Sequence, residues 1–296
     1  MMKFVRYFQN DTVNIGIFNK AETSVLNLKD IFAQKDCSTM QKVIENLTDE
    51  DIQRLQQSLQ DESLFKTAIK DIKILAPIER PIHDILCVGV NYSAHLEETK
   101  DRVANFKKDT NDAVYFGKRA IKILGTNEAV QGQFDVDSAL DYEVELAVII
   151  GKTGKNIKIE DVEDYIFGYS VFNDFSSRRL QKKHMQWFRG KSLDTYSAMG
   201  PVILHKSALP FPLKVDVKCT VNGELRQNSN TSLFLHDVPY IVSELSQGMT
   251  LEAGDIIATG TPSGVGMGYR PGKWLRKGDC VVCEIPQIGK LINTIE

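Results

Sequence analysis

Three acidic residues at alternate positions, Asp141, Glu143 and Glu145, open the run DYEVELAVII. An extended strand sends alternate side chains to the same face. The three carboxylates therefore face one way, and Tyr142, Val144 and Leu146 face the other. Beyond Glu145 the run is wholly apolar, so the strand enters a core with the carboxylates at its edge. Like charges placed there repel one another and lose hydration, and a bound cation is the simplest compensation. On this run alone, a solvated acidic sheet face is an equally good reading. A second strand-like run, YSVFND, ends in Asp174 and offers a third oxygen ligand from a neighbouring strand. Glu143, Glu145 and Asp174, with no His or Cys beside them, suit a hard cation, Mg2+ or Mn2+, rather than zinc. Open positions on such an ion accept water and a chelating substrate.

His95 and Glu98 are three apart in a helical pattern over about 92–109, so they share a face while Glu97 points elsewhere. A carboxylate there orients an imidazole and raises its basicity, which suits a general base. By residue type alone, an exposed pair worth a few tenths of a kcal/mol is the more ordinary reading. The continuation ETKDRVANFKKD fits a mobile lid better than a core helix. Lys191 sits between Gly190 and the apolar-aromatic stretch SLDTYSAMGP, where a solvated lysine is less expected. The glycine-rich stretch 260–268 follows the strand-like DIIATG, and its amides with the Thr261 hydroxyl can grip a carboxylate. It lacks the Gly-Lys-Ser/Thr of a P-loop, and a plain turn accounts for the glycines equally well. Cys280 and Cys283 have C-x-x-C spacing but lie in an alternating apolar run without a second pair. The chain's five cysteines are read as core residues.

Residues 1–75 read as a small N-terminal domain. The runs FVRYF, VNIGIF and SVLNL, separated by polar turns, suggest an antiparallel sheet. Three short helical stretches are expected after them, one opened by Thr48 with Asp51 in a carboxylate variant of the capping box, another over SLFKTAIKDI. APIERP is a proline-punctuated linker, and residues 76–296 form the second, catalytic domain. Many short β-branched runs there, with helical patterns near 160–166, 176–184 and 237–247, give an α+β, mainly β architecture of curled or barrel-like sheets. At 296 residues and a net charge of −3, nothing favours nucleic acid or an anionic membrane as partner. The start lacks a signal-peptide core and no apolar run reaches the ~18 residues of a membrane span, so a soluble, cytoplasmic protein is expected.

Six blocks, in order, resemble the fumarylacetoacetate hydrolase superfamily: CVGVNYSAHLEE, DYEVELAVIIGK, GYSVFNDFSSRRLQ, GKSLDTYSAMGPVI, VNGELRQ and LEAGDIIATGTPSGVGMG. The likeness covers about 76–296 and is greatest to bacterial oxaloacetate decarboxylases and acylpyruvate or fumarylpyruvate hydrolases. It implies a mixed β-roll or barrel domain, usually a homodimer, with Mg2+ or Mn2+ on Glu143, Glu145 and Asp174. It also implies that His95 and Glu98 sit on a lid as a water-activating pair. Arg178, Gln181 and Lys191 fall at positions holding the substrate carboxylate and the carbonyl-derived oxygen. The implied substrate is a small 2-oxo acid cleaved through a metal-bound pyruvate enolate. Oxaloacetate decarboxylation comes first, then acylpyruvate or fumarylpyruvate hydrolysis, then isomerisation of the 2-hydroxyhepta-2,4-diene-1,7-dioate type. A non-catalytic metabolite-binding protein is the reading from another class. Arg179 stands where many members carry Asp, and Val90 where a basic residue is common, so the departures fall on the substrate side.

Overall fold

The computed structural model describes residues 1–99 and 112–296. The helix bearing His95, Ser93–Thr99, therefore borders undescribed residues, and most of the stretch read as a lid lies outside the described ones.

Eleven of the described strands form one mixed sheet. Its centre runs Ser197–His205, Ile166–Asp174, Val144–Ile150, Ile256–Ala258, Ile85–Gly89 and Val114–Lys118. All neighbours in this run are antiparallel except Ile256–Ala258 with Ile85–Gly89. A second sheet of five strands contains Asp216–Val221, Glu224–Asn230, Cys280–Ile285, Gly289–Ile295 and Ala129–Val130.

The apolar run after Glu145 has a direct physical origin. Val144, Leu146, Val148 and Ile150 join the core shared with Val217, Cys219, Val281 and Leu291 of the second sheet. Ala147 and Ile149 pack on the opposite face, in a core shared with Met40, Val43, Ile44 and Leu55 of the N-terminal helices. A strand buried on both faces cannot alternate apolar with polar residues.

The first strand, Lys3–Gln9, pairs with Thr12–Phe18 on one side and meets the central sheet through Phe4 opposite Ile203. Residues 1–75 thus add strands to the same sheet and helices over one face. Thr48 caps Asp49–Ser58 with the expected reciprocal bonds to Asp51. SLFKTAIKDI is not a helix. It divides into two 3-10 turns, Glu62–Leu64 and Ile69–Asp71, around the strand Thr67–Ala68. That strand pairs with Ser24 and Val25, and pairing wins because so short a helix nucleates poorly. All five cysteines are free thiols, with Cys283 opposite Cys219 across two strands. Among the described residues no helix is long and apolar enough to cross a membrane.

Candidate active site

Glu143, Glu145 and Asp174 converge at one end of the central sheet. Val144–Ile150 and Ile166–Asp174 are antiparallel, so the start of one strand meets the end of the other. The Asp174 amide donates to the Glu143 carbonyl at 2.9 Å, and the Glu143 amide donates to Asn173 Oδ1 at 3.0 Å. One carboxylate oxygen from each of the three residues lies within 4.8 Å of the others, and all three side chains are buried. Asp141 departs from the alternation. Strand pairing lapses at Tyr142 and Glu143, and Asp141 turns towards the glycine-rich loop. There it accepts the amides of Gly266 (2.6 Å) and Met267 (2.9 Å) and Nε of Arg178 (2.8 Å).

Three buried cations serve this cluster. Lys191 Nζ lies 2.6 Å from both Glu143 Oε2 and Asp174 Oδ2. Burial opposes its charge, but Asp174 and Glu143 outweigh burial and hold the ammonium above its usual range. Arg178 Nη2 donates to Glu143 Oε1 at 2.5 Å. Burial alone would raise the Glu143 carboxyl; the charges of Arg178 and Lys191 prevail and draw it down to about 2. Lys118, fully buried, sits 2.6 Å from Asp174 Oδ1 and donates to the carbonyls of Phe175 and Lys191. Burial lowers its pKa more than Asp174 restores it.

Glu145 stands apart. Among the described residues it forms no ion pair, and its one hydrogen bond is from the Gly260 amide to Oε2, at 2.8 Å. Burial, then the charges of Asp174 and Glu143, push its carboxyl well above the ordinary range. Asp141, Glu143, Glu145 and Asp174 thus outnumber Lys118, Arg178 and Lys191 by one charge. Asp174 Oδ1, although beside Lys118, accepts no hydrogen bond of good geometry. A buried, oxygen-only cluster with an unmatched carboxylate fits a hard divalent cation.

His95 and Glu98 face the same cleft. His95 Nδ1 lies 3.2 Å from Glu98 Oε2, and Glu98 Oε1 accepts the Gly264 amide at 2.9 Å. The cleft is lined by His95, Glu143, Glu145, Arg178, Gln181 and Lys191 on its polar side. Val90, Phe116, Trp187 and Met267 form an apolar wall. Asp141 aside, every candidate residue named from the sequence except Asp174 and Glu98 lines the cleft directly, and those two touch residues that do.

Several side chains are more committed than their types suggest. Arg178 is engaged by Asp141 and Glu143 and, at 3.1 Å, by Gln181 Oε1. The Thr261 hydroxyl donates to the Val144 carbonyl and accepts from Gln227. The Gln181 side-chain amide N–H groups remain without a protein partner among the described residues. The glycine-rich loop spends its amides on protein carboxylates: Gly260 on Glu145, Gly264 on Glu98, Gly266 and Met267 on Asp141. Residue type did not single out Lys118 or Asn91. Asn91, fully buried, accepts the His236 amide and donates to the carbonyls of His236 and Thr259, anchoring the chain just before the His95 helix. An asparagine and a lysine at the ends of apolar strand-like runs were the only available signals.

Residues 84–296 match the family model described as "Fumarylacetoacetate (FAA) hydrolase C-terminal". The chain belongs to the fumarylacetoacetate hydrolase family. This family member is 46% identical over 231 residues to oxaloacetate tautomerase YisK of Bacillus subtilis, covering 78% of this chain and 75% of that protein. A solved fumarylacetoacetate hydrolase from psychrophilic Exiguobacterium antarcticum superposes with a TM-score of 0.84 at 37% identity, over 100% of this chain and 99% of that one. A maleylpyruvate hydrolase from Sphingobium, solved with manganese(II) and pyruvate, gives 0.75 at 25% identity over 99% and 98%. The fumarylacetoacetate hydrolase superfamily holds hydrolases, isomerases and decarboxylases acting on carbon–carbon bonds, and this chain is one of its enzymes.

Proposed function

We propose that this enzyme takes a small 2-oxo acid, oxaloacetate or a near relative, through its enol, and that proton transfer at C3 is the step its own residues perform. The observation that carries the reading is the placement of the His95–Glu98 pair on the same cleft as Glu143, Glu145 and Asp174. With Glu98 on Nδ1, the neutral imidazole carries its proton there, and Nε2 is the free base. Nε2 takes the proton from C3, and the C3–H electron pair becomes the C2–C3 double bond. The imidazolium then returns that proton to the C2 oxygen, which interconverts keto and enol forms with His95 regenerated. Glu143, Glu145 and Asp174 would hold Mg2+ or Mn2+, which when bound would supply Lewis-acid polarisation of the 2-oxo carbonyl, worth several kcal/mol. Lys191 and Arg178 fix Glu143 and Asp174 in position. The Gln181 amide donates to the substrate carboxylate, and the apolar wall excludes water. The relative named oxaloacetate tautomerase supports this order of outcomes.

Cleavage beside the same carbonyl is the second reading, favoured by pyruvate in the maleylpyruvate hydrolase structure. In oxaloacetate the C3–C4 bond would break with loss of carbon dioxide; in an acylpyruvate His95 would activate water against the C4 carbonyl. The resemblance also favours a homodimer. Ultraviolet absorbance of the oxaloacetate enol, followed with coupled detection of pyruvate in Mn2+, separates the outcomes. Faster decay of the enol without pyruvate identifies tautomerisation, and stoichiometric pyruvate identifies scission. Rates no greater than those of Glu145→Gln, in either channel, defeat both.

A further inference from the structure

We propose that Gly268 is a positioning residue for the His95–Glu98 pair, because the space its missing side chain leaves is the space the Glu98 carboxylate occupies. The inference rests on the reading of His95 and Glu98 given above. A β-carbon built at Gly268 would stand 1.9 Å from Glu98 Oε1, 2.3 Å from Cδ and 2.7 Å from Cγ. No real contact is so short, and Glu98 is the party able to move, since its carboxylate ends a flexible side chain. Glu98 is fixed at two points: Oε1 accepts the Gly264 amide at 2.9 Å and Oε2 meets His95 Nδ1 at 3.2 Å. Displacement therefore breaks both contacts together and frees the imidazole to rotate. The loop's other bonds, from Gly260 to Glu145 and from Gly266 and Met267 to Asp141, do not involve Glu98 and should survive. Gly268 ends a 3-10 turn and does not have a left-handed φ, so alanine is compatible with its backbone.

The test is Gly268→Ala in the full-length, Mg2+-loaded enzyme labelled with 15N-glycine. Hydrogen exchange at Gly264 should accelerate by about tenfold or more, as in Glu98→Ala, while Gly260 and Gly266 keep their protection. Turnover of oxaloacetate should fall in kcat by about tenfold with KM little changed. The double variant Gly268→Ala/Glu98→Gln should be no slower than Glu98→Gln alone, because both changes disable one contact. Unchanged exchange at Gly264, or equal acceleration at all three glycines, overturns the proposal; so does a multiplicative loss in the double variant. If Glu98→Gln leaves kcat intact, the assignment of the pair to catalysis falls, while the exchange data still decide whether Gly268 positions Glu98.

Discussion

Glu145→Gln should strengthen the metal-free protein while removing its response to metal. In the native chain Glu145 is buried beside Glu143 and Asp174 with a single amide donor, so burial and two like charges raise its pKa well above the ordinary carboxylate range. A group whose folded pKa is raised binds its proton more tightly in the native state, so native stability falls as pH rises above the unfolded value. The native state therefore carries a penalty for holding Glu145 ionised that grows as pH rises above the unfolded value. Glutamine has the shape of the protonated carboxyl and carries none of that penalty. In EDTA, urea unfolding should show the variant more stable than the wild type near pH 7, with the advantage vanishing near pH 4. Saturating Mn2+ at 100 times its Kd should add about 2.7 kcal/mol to the wild type and little to the variant. A metal-free variant weaker than wild type near pH 7 would refute the unmatched-carboxylate reasoning. Equal Mn2+ stabilisation of both would remove Glu145 from the ligand set.

His95→Ala should lower kcat for oxaloacetate by about a hundredfold or more while leaving Mn2+ affinity, measured by calorimetry, unchanged. Lys118→Met should cost about 3 kcal/mol in urea midpoint analysis, because it removes the cation beside Asp174 Oδ1 and leaves the Phe175 and Lys191 carbonyls without their donor. His205 is packed against Phe4 and Phe167, and burial pushes its pKa down to about 4. The unfolded chain therefore binds this proton first on acidification, and stability should fall by roughly 3 kcal/mol between about pH 6.5 and pH 4. His205→Phe should flatten that part of a urea-unfolding pH series.

The metal cluster was legible because two facts of strand geometry sufficed: side-chain alternation placed Glu143 with Glu145, and an acid at the end of a second strand completed the set. The same alternation misplaced Asp141, since nothing local reveals that pairing lapses at Tyr142. The role of Lys118 was not read from the sequence for a different reason. Its role depends on the sheet curling until the end of Val114–Lys118 reaches Asp174, a tertiary contact with no sequence period. The glycine-rich loop was open to two readings, a carboxylate grip or a plain turn, and its amides are largely taken by the protein's own carboxylates. The N-terminal strands were evident, whereas the short stretch 63–72 follows its partner strand against its local helical pattern.

The pairing of Lys3 with Leu204 and Phe4 with Ile203 bears on how the chain is made. At about 5–20 residues per second of synthesis, the first strand waits roughly 10–40 s for its neighbour to leave the ribosome. Meanwhile its hairpin with Thr12–Phe18 and the pairing of Arg6, Tyr7 and Phe8 with Lys73–Leu75 can form, leaving Lys3 and Phe4 open to other nascent chains. The eventual seam spans just two residue pairs, so the exposed template is brief in length even though it is long in time.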